Sequence, residues 1–132
     1  MAMAVRAEDT AWLTSLPEAL TKAKAEKKLV LVDFTGSDWC IWCKKLKKEV
    51  FSEPAFADYA KTNLVLVEVD FPRTKEQTKA LKQTNQQLME KYKVKGFPTV
   101  FVLDAEQKTL GTLGYMEGGS KAFIQAIEKV RK

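Results

Sequence analysis

Two cysteines stand three positions apart in Cys40-Ile41-Trp42-Cys43, and the chain holds no other cysteine and no histidine. On one helical turn two such sulfurs can meet and close a small ring, so the pair can cycle between dithiol and disulfide. At a helix start the first thiol sits among unpaired amides and the positive end of the dipole. Both stabilise its thiolate, so the pKa is expected to fall below the free value of about 8.5. Cys40 is therefore the expected nucleophile. Cys43, one turn further in and on the apolar face, is the expected resolving thiol. A third group must take the Cys43 proton, and Asp33 is the candidate. A carboxylate within the apolar run Leu29-Val30-Leu31-Val32-Asp33-Phe34 is costly unless it has a role, and burial would raise its proton affinity toward that of a general base. The same residue also fits a plainer reading, a strand-end carboxylate paired with a lysine.

The cysteine count excludes a disulfide framework, because neighbouring thiols cannot staple distant segments. A structural zinc site needs about four Cys or His ligands, and two are present. No metal site and no cofactor is expected. Cys-His catalysis is excluded outright. The net charge is +5 over 132 residues, but the lysines are spread along the chain without an arginine stripe. They read as solvated helix faces, and no nucleic-acid partner is expected. No apolar stretch approaches the roughly 20 residues that span a bilayer, so no membrane insertion is expected.

The elements that must position the cysteines follow from periodicity. Trp12, Leu13, Leu16 and Leu20 have helical spacing and predict a helix over 9–28, which Pro17 interrupts or restarts. A strand over 29–34, apolar on both faces except at Asp33, suits the middle of a covered sheet. The turn at 35–38 leads into a helix in which Cys43, Leu46 and Val50 share a face, and Ser52-Glu53-Pro54 breaks it before a continuation to Tyr59. A second strand spans 64–70. Thr74-Lys75-Glu76-Gln77 has the pattern of a capping box and opens a polar helix to about Tyr92. Strands at 99–103 and 109–113, joined by a turn at 104–108, and a helix at 120–132 complete the chain. This α/β order requires a mixed sheet, with crossovers forcing parallel strands and the short turn a hairpin. Residues 1–8 read as a disordered tail or a processing remnant, Val5-Arg6-Ala7 having the look of a cleavage-site end. Residues 9–132 read as one domain.

Val32-Asp33-Phe34, Trp39-Cys40-Ile41-Trp42-Cys43-Lys44 and Gly96-Phe97-Pro98-Thr99, in that order, resemble the three signatures of the thioredoxin superfamily, and the likeness runs from about residue 29 to 132. Within it, the run from Thr35 to Leu46 looks most like the exported bacterial branch of DsbH-type reductases. The resemblance implies a thioredoxin-like fold, a central sheet of about four to five strands flanked by helices. It also implies a cis bond before Pro98, which faces the sulfurs, keeps metal from the dithiol and pairs with substrate backbone. Gly114 matches the small residue of the family's substrate groove. Trp39, Trp42, Phe97 and Tyr115 are then candidate substrate contacts, although Tyr115 and Met116 also fit as apolar cover for the last helix. Three departures stand out. The turn between Asp33 and Cys40 is one residue longer than in thioredoxin, the lysine that partners the family's buried carboxylate is replaced at an apparent match of Leu66, and the segment 71–95 is long.

Ile41-Trp42 lacks the histidine that stabilises the thiolate in strong oxidants. The expected activity is thus disulfide reduction, or isomerisation, on protein disulfides, with a potential nearer roughly −270 mV than roughly −120 mV. The alternatives are a dithiol carrier of copper(I) or an iron–sulfur cluster, and a redox-inert adaptor of the same fold. The resemblance favours the bacterial periplasm, with the cytoplasm as the alternative. It implies an upstream thiol electron donor, a membrane DsbD-like reductase among the possibilities. A monomer is expected.

Overall fold

A computed structural model of the protein describes residues 11–132. The tail at 1–8 and the first two residues of the helix expected over 9–28 lie outside the described residues. Within them that helix is shorter than its apolar spacing predicts. Trp12–Leu13 forms a two-residue strand, β1, paired parallel with Leu66 and Val67, and helix α1 begins only at Leu16 and ends at Glu26. The cause is local. Ser15 is extended and its hydroxyl accepts the Glu18 N–H at 3.3 Å, while Pro17 occupies the first turn, where its missing N–H costs nothing. The helix therefore starts after Ser15, and Trp12 and Leu13 bond to the sheet edge instead. Pro17 begins a segment rather than interrupting one.

The order then continues as β2 (Leu29–Thr35), α2 (Ile41–Leu46), a π-helical turn (Lys47–Phe51), α3 (Pro54–Asn63), β3 (Leu64–Asp70), α4 (Lys79–Lys91), β4 (Thr99–Leu103), β5 (Thr109–Leu113) and α5 (Gly119–Val130). The five-stranded mixed sheet has the order β1-β3-β2-β4-β5. The first three strands run parallel, and β4 and β5 are antiparallel additions. β2 is thus central, covered on both faces, as its apolar run requires.

Alternation along β2 decides what lies near the cysteines. Val30, Val32 and Phe34 point into a core shared with Leu16, Ala19 and Ala23 of α1 and flanked by Leu88 and Tyr92. Leu31 points the opposite way, into a second core with Leu46, Val50, Phe56, Phe123 and Ile127. Asp33 has the parity of Leu31, so it faces the layer that carries α2.

The segment before α4 differs from expectation. Thr78, not Thr74, caps the helix, its hydroxyl accepting the Leu81 N–H at 3.1 Å. Thr74 instead donates its hydroxyl to Asp38 at 2.8 Å. A capping box needs its amides free, and here they are taken by a carboxylate from a distant turn. No described helix is long and apolar enough to cross a membrane.

Candidate functional site

The turn from β2 into α2 is folded back on itself. The Gly36 carbonyl accepts the N–H groups of Trp39 and Cys40 at 3.2 and 2.9 Å. A Cβ on Gly36 would overlap the Trp39 indole, so only glycine lets that ring lie over the turn. Two acids tie the turn to the segment after β3. Asp70 accepts the Ser37 N–H at 2.9 Å and also its hydroxyl. Asp38 accepts the backbone N–H groups of Arg73, Thr74 and Lys75 at 2.9, 2.9 and 2.7 Å. Those bonds, Arg73 and Lys75 foremost, hold the Asp38 carboxyl well below the usual carboxylate range.

Cys40 is the extended residue that caps α2, and Cys43 lies in its first turn. The two are joined as a disulfide with Cα atoms 5.2 Å apart. Both are nearly buried, and the Cys40 Sγ accepts the Cys43 N–H at 3.2 Å. The same sulfur lies 3.8 Å from the Phe97 carbonyl oxygen, and the Phe97–Pro98 bond is cis. Gly114 is close behind, since a Cβ there would stand 3.7 Å from the Pro98 carbonyl oxygen.

Aromatic rings frame this loop on two sides. Trp39 meets Phe97 edge-on at 5.9 Å, and Phe97 stacks on Phe71 at 5.3 Å. Trp39 also donates its indole N–H to the Phe71 carbonyl at 2.7 Å and carries the Arg73 guanidinium 3.8 Å above its ring. On the other side Trp42 packs on Tyr115 at 5.0 Å, with the Lys45 ammonium 4.8 Å over the indole. Among the described residues, Ile41 and Trp42 are the large apolar side chains left exposed, at 68% and 49%. Tyr115 leans on the core that holds Phe123 and Ile127, as cover for the last helix requires, and donates its hydroxyl to Glu49.

Asp33 is 7% exposed and lines, with Cys43, Thr35, Lys44, Lys47, Phe51 and Glu68, a cleft of about 250 Å³. Its Oδ1 has no hydrogen-bond partner, and none of the ion pairs among the described residues involves it. Burial, then the charges of Glu68 and Asp70, pushes its carboxyl up to about 8. Directly across from Asp33 in the β2–β3 register stands Glu68. Leu66, the position matched from sequence, faces Leu31 two residues earlier. The pairing starts at Leu29 with Leu64 and runs in step, which carries the acid, not the leucine, to Asp33.

The structure thus gathers Trp39, Cys40, Phe97, Pro98 and Gly114 on one side of the sulfurs, Trp42 and Tyr115 as a second pair, and Asp33 with Cys43 around the cleft. Sequence reasoning missed Glu68, Asp38, Asp70 and Arg73. Glu68 had a signal, an acid interrupting an apolar strand at the same place as Asp33. The other three act through long-range bonds that no local pattern reports. Among the described residues no group of three or more Cys, Asp or Glu side chains is arranged to hold a metal ion.

A sequence model described as a thioredoxin-like domain matches residues 16–131. The chain belongs to the thioredoxin-like domain family. This thioredoxin-like chain is 39% identical over 118 residues to the disulfide bond reductase DsbH of Chlamydia pneumoniae, a match covering 89% of the chain and 71% of that protein. It is 32% identical to the thiol:disulfide interchange protein DsbD of Vibrio vulnificus, with 87% of the chain matched to only 18% of DsbD. A solved structure named DsbH oxidoreductase superposes with a TM-score of 0.84 at 36% identity, covering 98% of this chain and 92% of that one.

Proposed function

We propose that this thioredoxin-like protein is a thiol–disulfide oxidoreductase that reduces disulfides in proteins. The observation that carries this reading is the Cys40–Cys43 pair itself, set at the start of α2 with the Cys43 amide on the Cys40 sulfur. The names of its relatives, a disulfide bond reductase and thiol:disulfide interchange proteins, support the same reading.

In the reduced form the Cys43 N–H, aimed at the Cys40 sulfur, favours a thiolate there. Cys40 thiolate attacks one sulfur of a substrate disulfide. A Cys40–substrate bond forms, the substrate S–S bond breaks, and the first substrate thiolate leaves. In the fraction of molecules whose Asp33 is ionised, a fraction that grows as pH rises toward 8, Cys43 then passes its proton to the Asp33 carboxylate and attacks the Cys40 sulfur. The Cys40–Cys43 bond forms, the bond to substrate breaks, and the second thiolate leaves with the electron pair. Two electrons have moved from the dithiol to the substrate, whose thiolates take protons from water. Trp39, Trp42, Phe97, Pro98, Gly114 and Tyr115 form the surface that receives the substrate backbone. The spent disulfide is recharged by an upstream dithiol, of which a DsbD-like membrane reductase is the type that fits. We assign this chemistry to the periplasm, a reading that the Dsb names of its relatives support.

The test is insulin reduction with dithiothreitol as donor. Turnover is expected to vanish in Cys40→Ser, whereas Cys43→Ser should make one attack and accumulate a mixed disulfide detectable by mass. Turnover that survives in Cys40→Ser would sink the assignment.

A further inference from the structure

The floor of the cleft beneath Cys43 holds two carboxylates where one would serve as proton acceptor. Asp33 and Glu68 are directly opposed on the neighbouring parallel strands β2 and β3, whose backbones run about 4.8 Å apart. In-register residues of adjacent strands project to the same face, and both side chains line the cleft with Cys43. Like charges placed opposite each other in a sheet are destabilising, more so where Asp33 is nearly buried. No lysine among the described residues is bonded to either acid. Lys75 is bonded to Asp70, and Lys44 and Lys47 line the cleft without bonding to either acid. Asp70 adds a third negative charge on the same strand as Glu68, but its own oxygens are occupied by Ser37 and Lys75. Glu68, half-buried and without a described hydrogen-bond partner, stands nearer than Asp70, directly across from Asp33, and its charge acts on Asp33 more strongly than that of Asp70.

We propose that Glu68 is a positioning residue for the resolving step, its negative charge across the β2–β3 pair making Asp33 bind the proton released by Cys43. The proposal rests on the reading of Asp33 as that proton's acceptor. Charge repulsion favours the protonated form of Asp33, so the carboxylate of Glu68 strengthens Asp33 as a base. The effect is strongest in the buried setting that Asp33 occupies and is moderated by the water that reaches Glu68. Both carboxyl groups respond in the same direction, since burial and the Asp70 charge raise the proton affinity of Glu68 as well, against Lys75 and Lys47.

The experiment is stopped-flow release of thionitrobenzoate from Ellman's reagent by the reduced protein between pH 5 and 10. The first equivalent reports attack by Cys40, and the second reports resolution by Cys43. In Glu68→Gln, which keeps the size of the side chain, the pH midpoint of the second phase is expected to fall by about one unit, with the first phase changed far less. Glu68→Lys should move it further in the same direction, and a thermal melt of each variant establishes folding. Should either variant fail to fold, the other carries the test. A second phase in the folded variant that superimposes on wild type, or shifts upward, overturns the proposal. Asp33→Asn separates the two readings. If it alters the second phase while the Glu68 variants do not, Asp33 remains the acceptor and Glu68 is a bystander. If Asp33→Asn leaves the second phase unchanged, the acceptor reading falls and the role of Glu68 falls with it.

Discussion

Replacing Asp33 with Asn should stabilise the protein, and by an amount that grows with pH. An unfolded chain releases the Asp33 proton near its ordinary value of 3.8, whereas the folded protein holds it until about 8. Below pH 3.8 both states are protonated and the residue costs nothing as a charge. From there upward the unfolded state gains from ionisation while the folded state does not. Folding stability therefore falls by up to about 1.4 kcal/mol per pH unit until the folded carboxyl also ionises. At pH 5 the accumulated cost is about 2 kcal/mol, and at pH 7 about 4 kcal/mol. Asn removes this cost but leaves an amide in a site where Oδ1 has no partner, which offsets part of the gain at both pH values. Urea unfolding of the disulfide form at pH 5 and pH 7 reads the difference directly. The variant should gain about 2 to 3 kcal/mol more at pH 7 than at pH 5. Glu68 and Asp70 work in the same direction and Lys44 and Lys47 rim the cleft, so the measurement is best made at moderate salt. An equal gain at both pH values, or none at pH 7, would refute the account of Asp33 as a buried carboxyl held protonated.

Three further outcomes follow from the site. Equilibration against glutathione and dithiothreitol buffers should place the Cys40–Cys43 potential nearer roughly −270 mV than roughly −120 mV; a value near the latter would reverse the assigned direction of electron flow. Trp42→Ala, which removes an exposed ring beside the sulfurs, should raise KM for insulin several-fold. The rate with a small disulfide should stay near wild type, and an equal loss on both would mean that Trp42 orders the dithiol instead of contacting substrate. Asp38→Ala should speed hydrogen exchange at the amides of Arg73, Thr74 and Lys75, which it now holds, and lower the melting temperature. Unchanged protection at those amides would show that the segment is fixed by other contacts.

The central strands, the hairpin and the cysteine helix were legible because each rests on a local signal. β2 and β3 each open on four consecutive apolar residues, and the hairpin turn is built on Asp104, whose Oδ1 accepts the N–H groups of Glu106 and Lys108. Position in the chain was enough to put Cys40 at a helix start. Trp12 and Leu13 were misread because helical spacing and a short edge strand look alike over two residues, and the competition was decided by Ser15 and Pro17. Thr74 was misread because a capping pattern carries no information about a carboxylate 36 residues away. The partner of Asp33 was missed for a related reason. A strand register is set by the whole pairing of β2 with β3, and no single position in the sequence shows that Glu68 is the residue across from Asp33.

That register has a significance for folding fidelity. Leu29-Val30-Leu31-Val32 and Leu64-Val65-Leu66-Val67 are the same four residues, laid side by side at the centre of the sheet. Their apolar side chains alone do not distinguish one alignment from another. The acid in fifth place does. A slip of one residue would turn Glu68 into the apolar layer with Val32 and Phe34, and a slip of two, although it would part the two acids, would set Glu68 beside apolar Leu31 or at the strand end beside Thr35. The two acids act as a registration mark for the strands, so chemistry and correct assembly draw on the same side chains. A variant stripped of both would be freed of a buried charge and, at the same stroke, would lose the feature that tells two otherwise interchangeable strand segments how to align.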